Sequence, residues 1–149
     1  MNPATRNKIG LGLFAVAIVL LAISIIAAVS LNNGNQGKAD PENAQQVARG
    51  QAIYAQYCTA CHGAQLEGQP EWRTRLASGR LPAPPHDASG HTWHHPDSVI
   101  FGITKHGLVP GRYAPPGYQS DMPAFGDTLS DDDIWAVIAY IKSSWPREI

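Results

Sequence analysis

The 149 residues carry 11 basic and 12 acidic side chains, a formal net charge of −1 at neutral pH. That balance excludes a basic nucleic-acid-binding surface as an organising feature, and the length suits one domain. Both cysteines lie in one short motif, so none remains for a disulfide framework and stability must come from a packed core.

After MNPATRNK, the stretch Ile9 to Leu31 holds no charged side chain. As a helix it spans roughly 34 Å at about 1.5 Å per residue, enough to cross a hydrocarbon core about 30 Å thick. A single transmembrane helix is therefore expected over 9–31, with a lipid bilayer as its partner. Arg6 and Lys8 precede it and only Lys38 follows soon after. The positive-inside rule then puts residues 1–8 in the cytoplasm and the remainder on the periplasmic side of the inner membrane. A signal peptide cleaved near Ala28-Val29-Ser30 is the rival reading, although the apolar core of a typical signal, about 7–15 residues, is shorter than this one.

Residues 32–42, within the polar run NNGNQGKADPENAQ, read as a flexible linker, and the folded domain is expected over 43–149. It opens with a helix for which Asp40 is a cap and Pro41 suits the first helical position. Val47, Gly50, Tyr54 and Tyr57 recur at helical spacing. Gly50 mid-helix costs about 1 kcal/mol against alanine, which points to a close packing contact there.

The run QYCTACHGAQ then places Cys58, Cys61 and His62 in a Cys-x-x-Cys-His pattern. A redox dithiol needs a thioredoxin-like strand-helix-strand context, and no such alternation surrounds these cysteines. A structural zinc site would have to recruit histidines such as His91 and His95, far beyond zinc-finger spacing. Covalent haem attachment uses all three residues: each thiol adds to one vinyl group and the adjacent imidazole meets the iron.

Leu81 to Asp97, LPAPPHDASGHTWHHPD, concentrates four histidines, His86, His91, His94 and His95. The cluster raises a copper or zinc site as an idea; against it, loop histidines commonly face solvent or bond to nearby backbone. Pro96 to His106 suggests a short helix with Gly107 at its exit. Met122 sits in the loop SDMPAFGD rather than in a helical stripe, which argues against a gap-filling core role. Ser130 caps a last helix, with Asp131, Asp132 and Asp133 facing its positive end and a broad apolar face running to Ile141 before Pro146. No stretch alternates long enough to argue for a sheet.

Taken in order, Gly50-x-x-x-Tyr54, Cys58-Thr59-Ala60-Cys61-His62-Gly63, Met122-Pro123-Ala124-Phe125-Gly126 and Leu129-Ser130-Asp131 ahead of IWAVIAYI resemble a mono-haem class I cytochrome c. The chain is similar to the cytochrome c domains associated with terminal oxidases. The resemblance implies an all-α class I cytochrome c fold, about three to four helices around one covalently bound haem c, preceded by the transmembrane helix. It implies Cys58 and Cys61 as the covalent attachment points, and His62 and Met122 as axial ligands of the iron. Met122 is the one methionine beyond Met1. The resemblance also implies a contact of Gly50 with Tyr140 or Trp135, a carbonyl of Pro82 or Pro84 accepting from His62 Nδ1–H, and Arg80 and Trp93 as partners of the haem propionates.

The function expected from this is a membrane-anchored carrier, or complex subunit, that passes single electrons between respiratory or photosynthetic complexes and has no catalytic residue of its own. A quinol-oxidising complex or a dehydrogenase would be the donor, and a terminal oxidase or similar complex the acceptor. The alternative is a haem-based enzyme or gas sensor, which needs a labile sixth ligand.

Overall fold

A computed structural model describes residues 16–25 and 37–149, which fall in two units divided after Gln36. Residues 16–25 are helical, with Val16, Leu20, Leu21 and Ile25 more than half exposed. Ser24 Oγ donates to the Leu20 carbonyl at 2.9 Å, so its hydroxyl is satisfied inside the helix. These residues lie within the expected 9–31 span; the rest of that span, and residues 1–8, lie outside the described residues. Among the described residues, no helix is long and apolar enough to cross a membrane.

The second unit contains four α-helices, α1 (Ala44–Tyr57), α2 (Thr59–His62), α3 (Asp97–His106) and α4 (Asp131–Ser143), with a 3₁₀ turn at Thr92–His94. Among the described residues there is no strand, only one bridge between Pro110 and Ala114. The 3₁₀ turn was not expected from the sequence, where it falls in the histidine-rich loop.

Helix α1 begins later than Asp40 suggests. The Asp40 carboxylate accepts from the Glu42 amide at 3.0 Å, closing a local turn. Asn43 becomes the cap, its Oδ1 accepting from the Gln46 amide at 3.0 Å. The Gln46 side chain reaches back to the Asp40 amide and the Lys38 carbonyl, both at 2.8 Å. Ala39, only 4% exposed, is thereby drawn into the core. Residues 37–42, the end of the stretch read as a linker, are thus held against the domain.

The core forms where α1 crosses α4. An ideal β-carbon on Gly50 would lie 1.9 Å from the Ala136 carbonyl oxygen and 3.0 Å from Tyr140 Cβ. Glycine therefore lets the two backbones touch. Of the two aromatic partners considered for Gly50, Tyr140 takes the contact, while Trp135 stacks on Phe101 at 4.4 Å and 20°. Ile134, Ile138, Leu129 and Ile100 fill one side of the crossing; Tyr54, Leu66, Val137 and Ile141 fill the other. Ser130 and Asp133 close a capping box at the start of α4, and Asp133 also receives Arg49 from α1 at 2.7 Å. Asp131 pairs with Lys105 at 2.6 Å, so these acidic residues serve the helix end and its neighbours.

Candidate functional site

The Cys-x-x-Cys-His run is made of the one-turn helix α2 and the residue that caps it, Cys58, which also ends α1. A helical turn puts Cys58 and Cys61 on neighbouring positions of one face. Cys58 is half-buried and Cys61 exposed, and burial followed by the neighbouring Cys61 pushes the Cys58 thiol up to about 11. Gly63 then turns the chain with φ +79, a conformation glycine adopts without strain.

His62 is buried, 7% exposed. Its Nδ1 lies 2.9 Å from the Pro84 carbonyl. Of the two prolines considered for this role, the loop path brings Pro84. With Nδ1–H donating to a carbonyl, Nε2 is left with its lone pair for a metal. Burial lowers the His62 pKa, partly opposed by the Pro84 carbonyl, so the imidazole is poised neutral, the ligating form. Its own backbone is pinned as well: the His62 carbonyl accepts from the Gly68 amide at 2.8 Å and from the Tyr54 hydroxyl at 3.3 Å. The Tyr54 hydroxyl also donates to the Gly63 carbonyl at 3.1 Å, and burial raises its pKa far above the ordinary phenol value.

Met122 is half-buried, in a loop anchored to the exit of α3. The Phe125 amide donates to the Thr104 carbonyl at 3.0 Å and the Gly126 amide to the Lys105 carbonyl at 2.9 Å. Gly107 turns beneath this loop with φ +75; a β-carbon there would meet Ala124 and the Met122 carbonyl. The Met122 amide donates to Ser120 Oγ at 3.0 Å. Asp121, next to Met122, forms an ion pair with Arg80.

Arg80 Nε and Trp93 Nε1 are buried N–H groups without a hydrogen-bond partner. A buried unpaired donor costs about 1–3 kcal/mol, so these two call for acceptors, which a carboxylated cofactor would supply. Two thiols on one helical turn, a buried imidazole with one nitrogen engaged, a thioether in a pinned loop and two unpaired donors fit a haem c.

The four loop histidines go separate ways. His86 stacks on His62, ring centroids 4.0 Å apart at 21°. His91 stacks on Trp72 at 5.3 Å, His94 on Trp93 at 3.6 Å, and His95 meets His91 edge-on at 5.3 Å. Among the described residues, no group of three or more His, Cys, Asp or Glu side chains is placed to hold a metal ion. A cavity of about 380 Å³ between residues 75–79 and 115–119 is lined by Arg75, Tyr118, Gln119, prolines and small residues, with no sulfur or imidazole donor. Sequence reasoning missed the Tyr54 hydroxyl and the His86 stack; the only signal for the latter was the histidine count of the loop.

Residues 45–141 match the family described as cytochrome c oxidase, cbb3-type, subunit III. The chain belongs to this family of class I c-type cytochrome domains. It carries a covalently bound haem c, and Cys58 and Cys61 stand where the attachment motif requires. Two curated relatives are also similar. One is thiosulfate dehydrogenase of Stutzerimonas stutzeri (strain A1501), 34% identical over 69% of this chain and 29% of the relative. The other is gluconate 2-dehydrogenase cytochrome c subunit of Pantoea cypripedii, 32% identical over 64% of this chain and 20% of the relative. The chain thus spans less than a third of the length of either.

Proposed function

We propose that the chain is a membrane-anchored electron-transfer protein, working as a carrier or as a subunit of an oxidoreductase complex. The observation that carries this is the buried His62, held at Nδ1 by the Pro84 carbonyl 2.9 Å away, directly behind the paired cysteines. A haem c supplies a one-electron Fe(II)/Fe(III) couple. In this reading Cys58 and Cys61 tether it through thioether bonds, His62 and Met122 are its axial ligands, and Arg80 Nε and Trp93 Nε1 donate to its propionates. With an imidazole and a thioether both committed, no position is left for a substrate oxygen, which favours electron passage over catalysis.

The uncharged stretch Ile9 to Leu31 supports anchoring in the inner membrane, with the haem domain on the periplasmic side. A short tether raises the effective concentration toward membrane partners to roughly millimolar. A quinol-oxidising complex or a dehydrogenase is the donor in this reading, the latter supported by the dehydrogenase names of both relatives. A terminal oxidase or similar complex is the acceptor. Purification from native membranes tests the proposal: the expected result is a coloured protein that co-purifies with a redox complex and is reduced by that complex's substrate. Recovery in the soluble fraction, or failure of any membrane complex to reduce it, would overturn it.

A further inference from the structure

The tripeptide Pro84-Pro85-His86 grips His62 twice. The Pro84 carbonyl accepts at the edge of the imidazole, and two residues later the His86 ring lies on its face, 4.0 Å away and within 21° of parallel. A single hydrogen bond at Nδ1 leaves an imidazole able to rotate about that contact. A flat partner against its face removes that freedom.

His86 is itself anchored through its ring and its backbone. Its Nδ1 shares a hydrogen bond with Thr92 Oγ1 at 2.8 Å, and Thr92, 6% exposed, is further tied to the Pro85 carbonyl at 3.4 Å. Its amide donates to the Leu66 carbonyl at 2.7 Å, and its carbonyl accepts from Trp145 Nε1 at 2.8 Å. Tyr54 meets the ring edge-on at 6.4 Å. The loop closes tightly behind it: a β-carbon on Gly90 would fall 2.1 Å from the Pro85 carbonyl oxygen. Proline at 84 and 85 restricts the backbone that carries both contacts.

We infer that His86 is a positioning residue, whose anchored ring fixes the rotational orientation of the His62 imidazole plane. This rests on His62 being the axial ligand of the proposed function. Outer contacts that orient a ligating histidine tune the metal, and losing one typically costs about 10–100-fold in metal affinity or activity. Here the control passes from the end of α4, through Trp145 and the His86 carbonyl, to the ring on His62. Histidine serves better than a plain hydrocarbon side chain because the bond to Thr92 stops the stacked ring from turning.

The test uses the full-length, haem-loaded protein, read by the electron paramagnetic resonance g-values of the ferric form and by the paramagnetically shifted haem-methyl proton resonances. Both report the direction of the axial imidazole plane. His86→Leu is expected to change the g-value spread and the spacing of the methyl resonances. His86→Phe, which keeps a flat stack, should return part of that change. Spectra of His86→Leu superimposable on wild type overturn the inference. Should His86→Leu fail to load haem, Thr92→Val decides, since it leaves the ring in place and removes its anchor: shifted spectra support the inference and unchanged spectra overturn it. A wild-type spectrum without a low-spin, histidine-ligated signal would instead overturn the assignment of His62, and this inference with it.

Discussion

Gly50 and Ala136 touch backbone to backbone: a β-carbon on Gly50 would sit 1.9 Å from the Ala136 carbonyl oxygen, well inside any tolerable contact. The atom in the way belongs to a helix backbone and cannot rotate aside. Gly50→Ala must therefore push α1 from α4, even though alanine is the better helix former by about 1 kcal/mol. The expected net loss is roughly 1–3 kcal/mol, read as a lower denaturant midpoint with an unchanged slope. A neutral or stabilising result would mean that the helices do not cross at this distance.

The capping box at α4 gives a second expectation. Ser130→Ala removes the acceptor for the Asp133 amide and should cost about 1 kcal/mol. The Asp133 carboxyl is partly desolvated, which raises its pKa, but the Ser130 hydroxyl and amide and the Arg49 guanidinium outweigh this and hold it below the usual carboxylate value. A depressed folded-state pKa means that stability from this group is fully present above the ordinary carboxylate range and is lost as pH falls through the folded value. The stability gap between wild type and Asp133→Asn should thus be widest near neutrality and shrink in acid. A gap that widens in acid would contradict the assignment.

Cys58 and Cys61 can be separated by their contribution to attachment. Cys58→Ala or Cys61→Ala should leave one thioether, and the double variant should yield haem that is wholly extractable by acidified organic solvent. Haem staining after denaturing electrophoresis reads the difference directly. Retention of stain by the double variant would show that attachment lies elsewhere.

Arg80 and Trp93 offer a graded test. Trp93→Phe keeps the aromatic bulk and deletes the unpaired Nε1–H, so its effect is that of one hydrogen bond to a charged acceptor, about 1.5–3 kcal/mol, and should appear as weaker haem retention under denaturant or a shifted reduction potential. Arg80→Lys removes the Nε donor while keeping the charge that faces Asp121. If neither variant changes potential or retention, the propionate assignment fails.

Much of this was legible in the sequence because spacing dictates it. Helical recurrence from Val47 to Tyr57, the mid-helix Gly50 and the Ser130 cap each carry a local physical requirement. The Cys58, Cys61 and His62 run belongs to the same class. What spacing leaves open is the path of a loop. Pro82 and Pro84 have the same chemistry, and only the fold decides which carbonyl reaches His62. His86, His91, His94 and His95 share one polar, proline-bounded context, yet one of them is stacked on His62 and the others rest on Trp72, Trp93 and each other. Asp40 and Asn43 are both good caps; Asp40 was passed over because its carboxylate is committed to the Glu42 amide.

In the proposed function, His62 and Met122 close the iron of a covalently attached haem c from both sides, which leaves electron passage as its chemistry. The visible spectrum of the oxidised, full-length protein, compared between wild type and Met122→Ala, tests this most directly. The expected result is a methionine-to-iron charge-transfer band in the wild type that disappears in the variant, together with carbon monoxide binding by the reduced variant and not by the reduced wild type. A wild type without that band that binds carbon monoxide rapidly would contradict it and point to a ligand-binding haem protein.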